Sequence, residues 1–342
     1  MAAPGGRRAG LIGVGAISDW HVRALRAAGV EVTAVATRAG STRLHTFAAE
    51  HAIPRVFERW ERLLEARDVW DGLVIATHTD GTADVVAAAL SHRVPLLVEK
   101  PVAWNSAAVA RLRAVAHPHV IVGFNRRYYR PVRFVGEECR QGLPVVAHLE
   151  LPESVAAPLP ASARDRLAPF FSNSCHGFDL LRFVLGPLRV QAVERLRAGG
   201  GVYALTALLR AERGHTVTVT CNWSTPANFA LTGDRPGRRV ELRPFECATV
   251  YEGMDVLEPS DDFPVRRYAP RLASRVVLDE VDAREKPGFV QQARAFAAML
   301  DGQPPPPEAA TLADAEAAIH LCEELLGESY REAADGGGQP PL

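Results

Sequence analysis

The sequence predicts an α/β protein. It should have an N-terminal domain built on a doubly wound parallel sheet and a C-terminal α/β domain with a largely antiparallel, open sheet. Three observations carry that prediction. Over the first 124 residues, short apolar runs alternate with helix-length amphipathic stretches, the pattern of parallel strands joined by crossover helices. After residue 125, strand-like stretches follow one another without intervening helices, which favours antiparallel pairing. At 342 residues, 47% hydrophobic and 23% charged, the chain is long enough for two cores and has the composition of a soluble globular protein. The domains read as 8–124 and 125–330, with 1–7 and the Gly/Pro-rich 331–342 as disordered tails.

The elements follow in order. Residues 10–12 form a strand that runs into Gly13-Val14-Gly15, and 17–28 form a helix closed by Gly29. Then come a strand at 30–36, a helix at 41–51 with Ser41 as N-cap, an extended piece at 56–57 and a helix at 60–66. A buried strand at 72–76, a helix at 83–91, a strand at 95–99, a helix at 106–116 and a strand at 120–124 complete the first domain. The second begins with a helix at 130–141 and a half-buried strand at 145–151, then a Pro/Ala-rich irregular loop over 155–169. A helix at 175–185 ends at Gly186-Pro187, and strands are expected at 190–198, 202–210, 216–223, 230–231, 239–243 and 248–251. Helices at 287–300 and 312–326 close the chain.

Composition excludes several function classes. A net charge of -1 gives no reason to expect nucleic acid or an anionic membrane as partner. No uncharged apolar run approaches the roughly 18 residues of a membrane span, and no secretory signal is expected. Five scattered cysteines without a C-x-x-C pair fit reduced thiols and a cytoplasmic location, with no metal site.

Gly13-Val14-Gly15-Ala16-Ile17 follows a strand and opens a helix. The first glycine permits the tight turn, the second lets a pyrophosphate approach, and the helix N-terminus supplies N–H donors. Ser18 stands where a third glycine is usual. The second strand ends in Ala36-Thr37-Arg38, with Ser41 and Arg43 behind it and no carboxylate for a ribose 2′-OH. A hydroxyl and a guanidinium there suit a 2′-phosphate, so NADP is favoured over NAD.

Among 39 lysines and arginines, only Lys100 and Lys286 are lysines. A lysine surviving in so arginine-rich a chain is a candidate for work arginine cannot do, because lysine can release a proton near working pH. Lys100 ends a buried strand, where open α/β sheets place ligands. Lys286 precedes Pro287, expected in the first turn of the 287–300 helix, where the dipole disfavours a cation. Contact with an anionic or hydroxyl-rich substrate would explain it; chance survival on the surface explains it equally well.

The glycine turn, Ala76-Thr77, Glu99-Lys100-Pro101, Gly123-Phe124-Asn125-Arg126-Arg127-Tyr128, His176-Gly177-Phe178-Asp179-Leu180-Leu181-Arg182 and Leu231-Thr232-Gly233-Asp234 occur in that order. The chain thereby resembles the Gfo/Idh/MocA family of oxidoreductases, named for glucose–fructose oxidoreductase, inositol dehydrogenase and a rhizopine catabolism protein. The resemblance implies an N-terminal Rossmann domain and a C-terminal domain whose open sheet builds a homodimer or homotetramer. It also implies an NAD(P)-dependent enzyme that moves a hydride to or from a ring carbon of a sugar, cyclitol or nucleotide-linked sugar. By the same resemblance Lys100 exchanges a proton with the substrate oxygen, and His176 lies over the substrate ring. Thr77, Glu99 and Asn125 flank the nicotinamide, and Asn125, Arg127, Tyr128, Asn173, Asp179 and Lys286 are the remaining substrate candidates. Two departures stand out. Ser172 occupies the place of an aspartate one turn before the histidine, and Thr82 that of a histidine after the fourth strand. The missing acid leaves two other readings: a non-catalytic dinucleotide-binding sensor or partner subunit, and a redox-assisted glycoside cleavage or epimerisation.

Overall fold

The computed structural model describes residues 6–153, 168–198, 201–223 and 225–327. The chain divides into two compact units, one comprising residues 6–128 and 280–323 and the other 129–279 and 324–327.

The first unit alternates strand and helix as its apolar pattern demands. Its elements are β1 (Arg7–Ile12), α1 (Ala16–Ala27), β2 (Val30–Ala36), α2 (Leu44–Glu50), β3 (Arg55–Phe57), α3 (Trp60–Glu65), β4 (Gly72–Ile75), α4 (Thr79–Leu90), β5 (Leu96–Val98), α5 (Ser106–Val115) and β6 (Val120–Val122). The six strands are parallel in the order β3-β2-β1-β4-β5-β6, the doubly wound order. The carboxyl ends of β1, β4, β5 and β6 therefore lie side by side.

Local chemistry moves some boundaries. Ser41 is not a cap: α2 begins at Leu44 behind Arg43, which carries no side-chain cap bond. Helix α4 starts at Thr79, four residues before the expected 83, because His78 caps it through the Asp80 N–H. Arg7 is not a tail residue; it opens β1 and pairs with Asp301 at 2.7 Å. Residues 331–342 and most of the expected 155–169 loop lie outside the described residues.

The 280–323 segment belongs with the N-terminal unit rather than with the 125–330 domain expected from sequence. The reason is apolar packing. Helix α9 (Phe289–Leu300) buries Phe289, Val290, Phe296 and Met299 in one core with Val22 and Leu25 of α1. Each such side chain contributes about 1.5–3 kcal/mol. The bond from Val122 N–H to Ala310 O, 2.8 Å, extends β6 onto the segment before α10 (Leu312–Leu326). A short α8 (Glu280–Arg284) precedes α9, which starts at Phe289 with Pro287 outside it.

The second unit holds α6 (Arg130–Arg140), β7 (Val146–Glu153), α7 (Cys175–Leu185), β8 (Leu188–Ala198), β9 (Gly201–Ala211), β10 (Thr216–Trp223), β11 (Ala230–Arg235), β12 (Arg238–Leu242), β13 (Cys247–Leu257) and β14 (Arg267–Val277). They form an eight-stranded sheet, β14-β13-β12-β11-β7-β10-β9-β8, antiparallel except for the parallel β7–β10 pair. Along β7, Ala147, Leu149, Leu151 and Glu153 are buried while the residues between them are more exposed. Helix α7 lies close on that buried face: a Cβ at Gly177 would stand 2.4 Å from Leu151 Cδ2. The β13–β14 hairpin leaves Met254, Val256, Tyr268 and Leu272 exposed. No described helix is long and apolar enough to cross a membrane.

Candidate functional site

In the first unit the glycine turn is built as its sequence requires. Gly13 has φ +112°, donates its N–H to Ala36 O at 2.8 Å, and a Cβ there would stand 2.2 Å from Ala76 O. Gly15 precedes α1 without any side-chain cap bond, and a Cβ there would meet nothing within 4 Å. The first N–H groups of α1, at Ala16 and Ile17, thus stand behind an open cradle of the kind a pyrophosphate fills. Ser18 is fully buried, and among the described residues its hydroxyl has no hydrogen-bond partner.

At the end of β2, Thr37 is buried, Ser41 half-buried and Arg38 exposed. Arg43 is committed elsewhere: it donates to Val14 O and to Asp19, both at 2.7 Å, tying the glycine turn to α2. Asp19, Glu50 and His51 are grouped closely enough to share a metal ion, but His51 and Arg43 already engage both oxygens of Asp19. After β4, the Thr77 and Thr82 hydroxyls bond each other at 2.9 Å, and Thr82 also donates to His78 O at 3.0 Å. Hydroxyls therefore close the loop in which the resemblance led one to expect histidine.

The corner at the ends of β5 and β6 gathers most of the ionisable groups. Glu99 is 7% exposed. It accepts from His21 Nε2 at 2.8 Å and from the Lys100 N–H at 3.1 Å, and its carboxyl lies against Gly123. Burial would push this carboxyl up; the His21 hydrogen bond and charge, with Lys100 beside it, outweigh burial and hold it below the ordinary glutamate range. The half-buried Lys100 thus follows a carboxylate fixed from α1. Asn125 is buried and donates from Nδ2 to Pro287 O at 2.8 Å. That bond brings Lys286 to this corner, where Glu99, Lys100 and Arg126 are its charged neighbours.

Two sequence candidates lie in the packing instead. Arg127 is 4% exposed and pairs with Asp314 at 3.0 Å. Tyr128 is buried in the core of the unit, and burial pushes its hydroxyl pKa far up. In an arginine-rich chain, sequence alone could not separate such a structural arginine from a substrate ligand.

In the second unit, His176 and Asp179 are both buried on α7. A π-helical turn, Phe170–Ser174, leads into that helix, and Cys175 donates its N–H to Phe170 O. The residue that sequence reasoning missed is Glu153, 3% exposed at the end of β7. It accepts from Asn173 Nδ2 at 3.0 Å and from the Ser174 hydroxyl. A buried carboxylate thus stands beside the turn in which Ser172 replaces the expected aspartate. The alternation along β7 puts Glu153 on the inner face, a signal that the residue type should have sharpened. His21 was missed too, and its place on the buried face of α1 is the signal that could have found it.

Comparisons with known proteins fit this geometry. The model of an oxidoreductase family with an NAD-binding Rossmann fold matches residues 7–123. The rhizopine catabolism protein MocA of Rhizobium meliloti is 26% identical over 340 residues, 95% of this chain and 97% of that protein. Inositol 2-dehydrogenase of Acidothermus cellulolyticus is 32% identical over 193 residues, 54% of this chain and 55% of that protein. A levoglucosan dehydrogenase solved with NADH and levoglucosan superposes with a TM-score of 0.72 at 15% identity, covering 96% of this chain and 97% of that one.

Proposed function

We propose that this chain, which belongs to the Gfo/Idh/MocA oxidoreductase family, is an NADP(H)-dependent dehydrogenase acting on a ring carbon of a sugar, cyclitol or nucleotide-linked sugar. The observation that carries the reading is the corner at β5, where His21 and the Lys100 N–H hold Glu99 and so fix the backbone that presents Lys100. The names of its relatives, inositol and levoglucosan dehydrogenases, support the substrate class.

The residues present fit a dinucleotide: an uncapped helix start behind an open glycine for the pyrophosphate, and Thr37 and Arg38 at the end of β2 for a 2′-phosphate. When bound, the nicotinamide supplies or takes the hydride. Lys100 gives or takes the hydroxyl proton through Nζ, a task its ammonium can perform and a guanidinium cannot. Glu99 and Thr77 shape the nicotinamide pocket, and Asn125 serves cofactor and substrate. His176 acts as positioning group or second acid/base, with Asn173 and Asp179 beside it as substrate candidates. Arg127 and Tyr128, held in the packing, contribute by supporting Asn125. The exposed apolar residues of the β13–β14 hairpin support assembly of a homodimer or homotetramer through the second unit's sheet.

Nicotinamide absorbance, followed with NADP or NAD against ketosugars, inososes and nucleotide-linked ketosugars, tests the reading. Turnover with at least one of them, faster with NADPH, is expected. Substrate-dependent oxidation of neither coenzyme would refute it.

A further inference from the structure

We infer that the substrate of this oxidoreductase carries an anionic group, a carboxylate or a phosphate, and that Lys286 receives it. The inference rests on the dehydrogenase reading but follows from a separate set of contacts.

Lys286 lies in the short connection between α8 and α9, and that connection is pinned on both sides of it. Asn125 Nδ2 donates to Pro287 O at 2.8 Å, and the Gly288 N–H donates to the buried Asp282 Oδ1 at 2.8 Å. The backbone that presents Lys286 is therefore fixed against the end of β6. Its Nζ stands 5.5 Å from the centre of the Phe289 ring, and the same ring meets the His21 imidazole at 4.9 Å. Because His21 holds Glu99, the ammonium belongs to the Lys100 corner.

The charges there do not balance. Lys100, Lys286 and Arg126 face one carboxylate, Glu99, whose two oxygens already accept from His21 and the Lys100 N–H. The carboxylate next in sequence, Glu285, is taken by Arg23 at 2.9 Å. Among the described residues Lys286 makes no hydrogen bond or ion pair. Burial lowers its pKa from the ordinary lysine value; Glu99 pulls it up, and Lys100 and Arg126 push it down again. A half-buried ammonium beside two other cations is unfavourable for folding, and only a ligand that brings negative charge relieves it. A neutral hydroxyl would accept one hydrogen bond and leave the repulsion in place.

The cofactor is a poorer candidate for that charge. The open cradle for its pyrophosphate is at the end of β1, whereas Lys286 stands with β5 and β6, beyond β4 in the sheet order. A substrate anion bound by Lys286 would set the distance between the charged group and the hydroxyl that Lys100 serves, and so select which ring carbon reacts.

The test uses matched ligands with the dinucleotide-loaded protein. D-Glucuronate is compared with D-glucose, and myo-inositol 1-phosphate with myo-inositol, by calorimetry and by nicotinamide absorbance. At least one acidic member is expected to bind tenfold or more tighter than its neutral partner. Lys286→Gln should erase that preference, weakening the acid by about 10–100-fold, the scale of one charge-assisted hydrogen bond, while Lys286→Arg keeps most of it. The neutral ligands, the dinucleotide Kd and the thermal midpoint should stay nearly unchanged in Lys286→Gln. Equal binding of acid and neutral partner, no binding of either acid, or a preference that survives Lys286→Gln overturns the inference, as does a variant whose main defect is dinucleotide binding. Turnover of neutral sugars without any preference would sink the anion site and leave the dehydrogenase standing. Lys286-dependent binding of an acid without any hydride transfer would do the reverse.

Discussion

Each unit of the chain buries one glutamate beside its candidate site residue, and the two are satisfied by different chemistry. Glu99 accepts from an imidazole and a backbone N–H and lies among cations. Glu153 accepts from a side-chain amide and a hydroxyl. The first arrangement trades in charge: it depends on protonation and will answer to pH. The second trades in shape, since Asn173 and Ser174 belong to a π-helical turn and the carboxylate fixes the entry to the helix that carries His176. Charge therefore organises the Lys100 corner and backbone geometry the His176 corner, and substitutions should separate them.

The largest effect is expected from Lys100→Arg, which keeps the charge and removes the exchangeable proton. Turnover should fall by about 10²–10⁴-fold, the usual contribution of a general acid–base group, with dinucleotide affinity largely intact. Single-turnover absorbance and calorimetry report the two quantities. Near-normal turnover would show that the corner needs only a positive charge and would remove Lys100 from proton transfer.

Next comes the pair behind it. His21→Ala removes one partner of a buried charged contact and should cost about 3–5 kcal/mol in urea unfolding. The pH dependence has a definite sign. Because the folded-state pKa of Glu99 is held below its unfolded value, its contribution to stability is complete above the unfolded value and is lost as the pH falls through the folded one. Stability of the wild type should thus fall more steeply below about pH 4.5 than that of Glu99→Gln. Parallel acid profiles would mean that Glu99 does not act through charge.

Glu153 should respond differently. Glu153→Ala strands the Asn173 amide and the buried Ser174 hydroxyl, at about 1–3 kcal/mol, and should lower turnover by loosening α7. Glu153→Gln keeps one acceptor and should fall between alanine and wild type, with the pH profile of kcat/KM unchanged. A displaced profile would show that Glu153 supplies charge after all, in place of the aspartate absent at Ser172. In the same corner His176→Asn should retain more activity than His176→Ala if the histidine mainly positions substrate.

These two corners also mark what could be read in the sequence. The glycine turn and Glu99-Lys100-Pro101 are contiguous, so their chemistry is legible in a few residues, and the alternation of strand and helix gave the first sheet. His21 and Glu153 act on partners 78 and about 20 residues away, and pairing at that range leaves no local pattern. The return of 280–323 to the first unit escaped for the same reason: an amphipathic helix shows that it buries a face, not which core receives it. Strand β14 was missed because eight of its eleven residues are exposed, leaving a polar pattern that reads as loop. Arg127 and Tyr128 illustrate the opposite failure, in which a family position suggested a ligand and burial assigned a packing role.

The smallest effect is expected outside both corners, where cofactor choice rests on an exposed side chain. β2 delivers a buried Thr37 and an exposed Arg38, while Arg43 is already spent on Val14 O and Asp19. A guanidinium in water is screened, so its bond to a 2′-phosphate should be worth about 1–2 kcal/mol, less than the same bond in a buried corner. Arg38→Ala should then weaken NADP by roughly 5–30-fold and leave NAD unchanged, as measured by calorimetry with both dinucleotides. The advantage of NADP should also shrink with added salt, which it would not do if a buried group made the choice. If Arg38→Ala leaves the ratio of the two Kd values intact, selectivity resides in the missing carboxylate at the end of β2. If the wild type binds NAD more tightly, the NADP assignment falls, and the comparison between the two corners is untouched.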